Sequence, residues 1–165
     1  MRLREWIVAL RSLHEKARQD SLTRAETTAY REAREELAAM LLAAQRLSLK
    51  PGETAREALR VVHTLPLELS STADPVSAVT LDISVGGFSA LLQSAPRPGE
   101  RLEFSLQLGG GPILGHARVA SVFDQGEGFR VSFSVEGSSL ADAERMTSEV
   151  LDAALEKLGD LTEQI

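Results

Sequence analysis

The sequence predicts an α+β fold in which a six-stranded antiparallel β-barrel lies between an N-terminal two-helix hairpin and a C-terminal helix. Three observations lead to this prediction. Apolar residues recur at helical spacing from residue 3 to residue 47, alternate with polar residues in six short runs between residues 61 and 135, and return to helical spacing after residue 139. Residues typical of turns separate the six runs, as in small closed sheets.

Two amphipathic helices are predicted before residue 52. Thr23 and Glu26 have the spacing of a capping box, which predicts the start of the second helix, and Pro51 ends it. Amphipathic helices joined by a short connection predict an antiparallel hairpin. We therefore expect a helical hairpin over residues 1–52, and a barrel with a C-terminal helix over residues 53–165.

Six runs of alternating residues predict the strands of the barrel. They lie at residues 61–69, 76–81, 88–92, 102–108, 113–123 and 129–135. The three glycines at 109–111 predict a hairpin turn between the fourth and fifth strands. Ser139 and Asp142 predict the cap of the C-terminal helix.

Charge is distributed unevenly along the chain. Residues 1–50 carry 10 Lys and Arg against 7 Asp and Glu, whereas residues 51–165 carry 8 against 17. Because non-specific binding to nucleic acid neutralises many phosphates, the acidic second part argues against a nucleic-acid polymer as partner. The longest apolar run, residues 37–44, is too short to span a bilayer. With no cysteine and no recognisable signal peptide, we expect a cytoplasmic protein without membrane insertion.

The sequence lacks the usual marks of an enzyme. His14, His63 and His116 are scattered without the spacing of paired metal ligands. The glycines at 109–111 lack the following Lys and Ser or Thr of a phosphate-binding loop, and no nucleophile elbow is present. We therefore expect neither an enzyme nor a bound metal or cofactor.

A polar turn that contains Asp82, Ser84 and Gly87 separates the second predicted strand from the third. Asp and Ser side chains bond readily to nearby backbone and Gly permits tight turns, so these residues alone are also compatible with an ordinary turn. Upstream, Arg56 and Arg60 lie four residues apart, directly before the first predicted strand.

The order of these elements resembles the PilZ domain, the bacterial receptor module for cyclic di-GMP. That family carries an RxxxR motif before its first barrel strand and a D/NxSxxG motif between its second and third strands. Here Arg56 and Arg60 match the first motif, and Asp82, Ser84 and Gly87 match the second. The resemblance covers residues 56–158 and implies a six-stranded barrel that serves as a receptor in bacterial second-messenger signalling.

The resemblance also implies a role for each motif residue. Arg56 and Arg60 would bind the phosphates and the Hoogsteen edge of guanine, since a guanidinium donates two parallel hydrogen bonds. Asp82 and Ser84 would face the guanine, whose N1–H and exocyclic amine a carboxylate accepts. Gly87 would let the backbone approach the ligand closely.

Some residues near the arginine pair depart from the family pattern. Glu53 and Glu57 flank the pair and would oppose a dianionic ligand. Ala55 stands where some members carry a further arginine that helps to hold an intercalated ligand dimer. Both a single bound ligand and a ligand dimer therefore stay open.

A second hypothesis is a PilZ-like adaptor or oligomerisation scaffold that binds no nucleotide and acts through its helices. The helical hairpin has two open uses, packing within its own chain and forming a homodimer, and the C-terminal helix is long enough to reach a downstream protein. The sequence does not name that protein.

Overall fold

The computed structural model describes residues 2–49, 58–71 and 74–163, with side chains up to residue 159. The helices are α1 (Leu3–Arg18), α2 (Arg24–Leu47) and α3 (Leu140–Glu163). The strands are β1 (Val61–Val62), β2 (Pro66–Ser70), β3 (Val76–Ser84), β4 (Gly87–Leu92), β5 (Arg101–Leu108), β6 (Gly111–Asp124) and β7 (Phe129–Glu136). In chain order, two helices thus come before the strands and one comes after them, as the periodicity predicts.

Six of the strands form a closed antiparallel barrel. Their order is β3, β2, β5, β6, β7 and β4, and the pairing of β4 with β3 closes the circle. The short β1 pairs with the end of β3, where Val61 lies opposite Ile83. The predicted six-stranded antiparallel barrel is confirmed, with β1 and β2 together in the place of its first strand.

That first strand is interrupted at residues 63–65, between β1 and β2. Thr80 of β3 lies beside the interruption, and its hydroxyl accepts a 2.8 Å hydrogen bond from Leu65 N and donates one of 2.7 Å to His63 O. The side chain is buried, with 1% of the residue exposed. Thr80 therefore satisfies two backbone groups that a continuous ladder would otherwise pair.

The packing of the barrel core shows on which face of the sheet the Asp82 side chain lies. Phe88 packs against Phe104 and Phe133, with ring centroids 5.3 and 5.2 Å apart. Ile83 lies opposite Phe88 and is fully buried in the same core. Because side chains alternate along a strand, Asp82 of β3 points to the opposite face of the sheet, away from the core.

The first half of α3 is tied to the turn between β5 and β6. Its start is capped as predicted, since Ser139 Oγ accepts a 3.1 Å hydrogen bond from Asp142 N. One turn further on, Arg145 Nη2 donates to Gly111 O at 2.6 Å, and Glu149 Oε1 accepts from Gly109 N at 2.9 Å. These contacts satisfy backbone groups of the predicted glycine hairpin.

A second core lies among α1, α2 and the second half of α3. The capping box at the start of α2 is present, with Thr23 Oγ1 accepting from Glu26 N at 3.2 Å and Glu26 Oε1 accepting from Thr23 N at 3.1 Å. Five buried residues of the three helices pack together: Leu10, Tyr30, Leu37, Leu151 and Leu155.

The chain divides into two compact units, one of α1, α2 and the second half of α3, and the other of Arg60–Val150. The expected boundary between residues 52 and 53 lies outside the described residues and stays a prediction. None of the described helices combines the length and the apolar character that spanning a bilayer requires.

Candidate functional site

The motif turn is a two-residue hairpin between β3 and β4. Ser84 and Gly87 are paired across it, and Ser84 Oγ donates a 3.3 Å hydrogen bond to Gly87 O. Both residues are buried. The serine hydroxyl therefore already has a backbone acceptor within the turn, as expected of a short polar side chain at a strand end.

Gly87 is required by the close approach of β7. A Cβ atom at this position would overlap the backbone carbonyl oxygen of Phe133. Gly87 is paired with Ser134, next to Phe133, in the β4–β7 ladder. A structural reason for this glycine therefore exists beside the ligand-binding reason that the resemblance implies.

Asp82 is a buried carboxylate held by two arginines. Only 4% of the residue is exposed. Arg60 Nη1 donates to Oδ1 at 2.9 Å, and Arg130 Nη2 donates to Oδ2 at 2.6 Å. Each carboxylate oxygen thus receives a charge-assisted hydrogen bond from a different strand region, which is the strong class of such bonds.

Arg60 brings the two sequence motifs together. It belongs to the predicted arginine pair, it precedes β1, and its guanidinium reaches the Asp82 of the turn motif. Arg56, together with Glu53, Ala55 and Glu57, lies outside the described residues. The convergence of Arg56 on the same site therefore stays a prediction.

Arg130 is the residue that the sequence reasoning missed. It lies on β7, where it is paired with Leu91 of β4 on one side and with Phe123 of β6 on the other. Its side chain reaches Asp82 across β4, on the outer face of the barrel. The sequence carries one weak signal for it: Arg130 alternates with the inward residues Phe129 and Val131, which places it on that outer face.

The three side chains leave an excess of one positive charge at the surface. The side chains of Arg60 and Arg130 are 23% and 37% exposed, whereas that of Asp82 is 6% exposed. Solvent and ligands therefore meet the guanidinium groups first. This local sign is opposite to that of residues 51–165 as a whole, so the cluster is suited to an anion.

Ser89 lies in the same row as Asp82. It is paired with Asp82 on one side and with Ser132 of β7 on the other, and none of its surface is exposed. Its hydroxyl has no hydrogen-bond partner among the residues that the structure describes. A buried polar atom without a partner costs about 1–3 kcal/mol, so this hydroxyl is available to a hydrogen-bonding group that enters the site.

No cluster of three or more metal-ligating side chains occurs among residues 2–49, 58–71 and 74–159. The candidate site therefore consists of the guanidinium groups of Arg60 and Arg130, the carboxylate of Asp82, and Ser89, which is paired with Asp82. Such a set can bind a phosphate through the arginines and a planar donor edge through the carboxylate.

Comparison with known families assigns the chain. The model of the PilZ domain matches residues 54–151, which is more than half of the sequence. The chain belongs to the PilZ domain family. The range contains both sequence motifs and Arg130, and the resemblance inferred from the motifs is confirmed.

Solved structures show the same fold. The PilZ domain of YcgR from Escherichia coli, with c-di-GMP, matches at a TM-score of 0.56 with 16% identity, over 68% of this chain and 100% of that chain. MotI/DgrA of Bacillus subtilis, an inhibitor of motility, matches at 0.58 with 18% identity, over 66% of this chain and 58% of that chain. The MrkH–c-di-GMP complex of K. pneumonia matches at a TM-score of 0.57 with 19% identity, over 66% of this chain and 56% of that chain. No curated protein sequence matches.

This PilZ chain therefore aligns with only part of MotI/DgrA and MrkH, and with the whole of the YcgR domain. At these identities the likeness establishes the fold, and the binding of c-di-GMP is a property of the two relatives solved with it.

Proposed function

We propose that this protein is a receptor for cyclic di-GMP in bacterial second-messenger signalling and that it is not an enzyme. The observation that carries the proposal is the contact between Arg60 and Asp82, at 2.9 Å. It joins the arginine motif to the turn motif, which are 22 residues apart in the chain. Two structural relatives contain this ligand, which supports the same choice.

The chemistry of the cluster fits the proposed ligand. Cyclic di-GMP offers two phosphates and two guanine bases. Arg60, with Arg56 beside it in the sequence, binds a phosphate or the O6 and N7 atoms of guanine through its planar N–H fork. Asp82 accepts the N1–H and the exocyclic amine of guanine, and Ser84 and Gly87 border the same base.

The proposal places the protein in a bacterial cytoplasm, which suits a chain without cysteine. The helices are then the surface for a downstream protein or for a second copy of the chain. Ligand binding changes such an association only if the affinity for the ligand differs between the two states.

One observation favours the alternative, an adaptor that binds no nucleotide. Both oxygens of Asp82 already accept from arginines, and the hydroxyl of Ser84 already donates to Gly87. Asp82 and Ser84, with these internal partners, also serve as a purely structural link between β3, β4 and β7.

Calorimetric titration with cyclic di-GMP separates the two functions. We expect saturable binding by the wild type, and binding weaker by about 1.5–3 kcal/mol, or about ten- to a hundredfold, in Arg60→Ala. Asp82→Asn keeps the shape of the side chain and removes the acceptor for one guanine donor, so it should also bind weakly. Circular dichroism checks that each variant is folded.

Arg101→Ala is the matched control, because Arg101 is an exposed arginine that pairs with Glu136 at 2.9 Å, outside the cluster. It should bind as the wild type does. If the wild type shows no binding at millimolar ligand, the receptor proposal is wrong and the adaptor is favoured.

A further inference from the structure

The pairing of Arg130 with Asp82 occupies the carboxylate to which the proposed ligand would bind. Arg130 Nη2 lies 2.6 Å from Oδ2, and Arg60 Nη1 lies 2.9 Å from Oδ1. Guanine needs one edge of the carboxylate for its N1–H and amine donors, since these lie side by side. Because Asp82 is 4% exposed and each of its oxygens already accepts from an arginine, a guanine that bonds to this carboxylate shares or replaces one of these bonds.

The guanidinium group of arginine resembles the edge of guanine that carries N1–H and the exocyclic amine. A guanidinium and the N1–C2–N2 edge of guanine both present adjacent N–H donors in one plane, and a carboxylate accepts both in the same way. The two groups differ in charge and in their connection to the protein. Arg130 therefore competes with guanine for the same acceptor.

Of the two arginines, Arg130 is the one placed to leave. Its side chain is 37% exposed, against 23% for Arg60. It reaches Asp82 from β7, with β4 lying between the two strands. Arg60 precedes β1, which pairs with the strand of Asp82 itself, so its contact is the more local one.

We propose that Arg130 is an affinity-setting residue, an intramolecular competitor that the guanine of cyclic di-GMP displaces from Asp82. Ser89 supports this assignment independently. Its buried hydroxyl lies in the row of Asp82 and has no partner among the described residues. The polar groups next to Asp82 are therefore not all satisfied while both arginines are bound to it.

The inference rests on the proposed function. It predicts a change in affinity for cyclic di-GMP, on removal of Arg130, that is opposite in sign to the change expected from electrostatics alone. Cyclic di-GMP is a dianion, so removal of a cation from its site should weaken binding. Removal of a competitor should strengthen it. The sign of the change in affinity therefore tests the inference.

The experiment compares dissociation constants for cyclic di-GMP of the full chain and its Arg130→Gln variant by calorimetry. We expect the variant to bind about tenfold more tightly, because binding no longer breaks a charge-assisted bond. Arg130→Lys keeps the charge and loses the planar fork, and should lie between the two. It also serves as the second variant if Arg130→Gln does not fold.

Arg118→Gln is the control for loss of a surface cation. Arg118 lies on β6, its side chain is 49% exposed, and it pairs with Glu136 at 2.6 Å, the same distance as in the Arg130 bridge. It should bind the ligand as the wild type does, so a gain in affinity specific to Arg130 supports competition at Asp82.

The outcomes separate the role of Arg130 as a competitor from the function of the protein as a receptor. Binding by the wild type that is unchanged or weaker in Arg130→Gln overturns the competitor and leaves the receptor intact. Binding by Arg130→Gln alone supports the competitor in its strongest form. Absence of binding in the wild type and in both Arg130 variants overturns the receptor, and the competitor with it.

Discussion

Arg130 donates a 2.6 Å hydrogen bond to Asp82, a residue 48 positions away in the chain. The bond links β7 to β3 across β4, at the place where the pairing of β3 with β4 closes the barrel. A buried carboxylate without a partner is strongly destabilising. The same contact that occupies the candidate site therefore also helps to hold the closed barrel together.

Gly87 tests how much of the turn motif is structural. We expect Gly87→Ala to lower the free energy of unfolding by about 1–3 kcal/mol, the usual cost of forcing extra atoms into a packed site. The added Cβ would overlap the carbonyl oxygen of Phe133, so β4 and β7 must move apart. Chemical denaturation measures the change.

Gly86→Ala is the matched control for this prediction. A Cβ atom at Gly86 would have no atom within 4 Å, and its φ is not positive. Its stability should equal that of the wild type or exceed it slightly, because alanine restricts the unfolded chain. Equal stability of both variants would mean that the approach of β7 does not require a glycine.

Local patterns in the sequence were sufficient to predict the strands, the caps and the turn motif. The alternation of residues 102–108 corresponds to β5, and the spacing of Thr23 and Glu26 to the start of α2. These features depend on near neighbours in the chain. The order of two motifs that the family shares predicted that Arg60 and Asp82 belong to one site, whereas their direct ion pair, which joins residues 22 positions apart, was not predicted.

Arg130 could not be predicted in the same way. Arg118 also lies in a predicted strand, and nothing in the local sequence distinguishes the two. Arg118 bonds to Glu136 and Arg130 to Asp82, and the difference arises from the register of β4, β6 and β7. Register between distant strands is a property of the closed barrel rather than of any one run of residues.

Thr80 is another residue whose role depends on tertiary structure. Its hydroxyl satisfies Leu65 N and His63 O at the interruption between β1 and β2. We expect Thr80→Val to cost about 1–3 kcal/mol of stability for each backbone group left without a partner, although the side chain keeps its size. Denaturation by urea measures the loss.

The neighbouring Thr64 provides the control, because it is exposed. Thr64→Val changes the same atoms beside the same interruption and should leave stability within about 0.5 kcal/mol of the wild type, as for most surface changes. Equal losses in the two variants would contradict the role assigned to the Thr80 hydroxyl.

The helical unit contains a buried histidine. His14 of α1 lies among charged and polar groups of all three helices: its Nδ1 is 2.6 Å from Tyr30 Oη, and its Nε2 is 3.3 Å from Asp152 Oδ1. Arg18 pairs with Asp152 at 3.2 Å, and Arg34 lies over the Tyr30 ring. Burial lowers the pKa of His14, and the nearby Asp152 carboxylate opposes this only in part.

A pH dependence of stability follows from this lowered pKa. The unfolded chain takes up a proton at His14 near the ordinary pKa of about 6.5, whereas the folded unit does so only at lower pH. Between these values the unfolded state binds more protons, so stability falls as the pH drops below about 6.5 and is insensitive to His14 above it. We expect His14→Gln to lose this part of the pH dependence.

The fluorescence of Trp6 reports the unfolding of the helical unit, since Trp6 is the single tryptophan of the chain and packs against the core of that unit. Urea unfolding followed by its fluorescence at pH 7.5 and at pH 5.5 yields the difference for the wild type and for His14→Gln. The other titrating groups are common to both proteins, so subtraction isolates His14. A wild type that loses no more stability than the variant on acidification would show that burial does not disfavour the protonated imidazole.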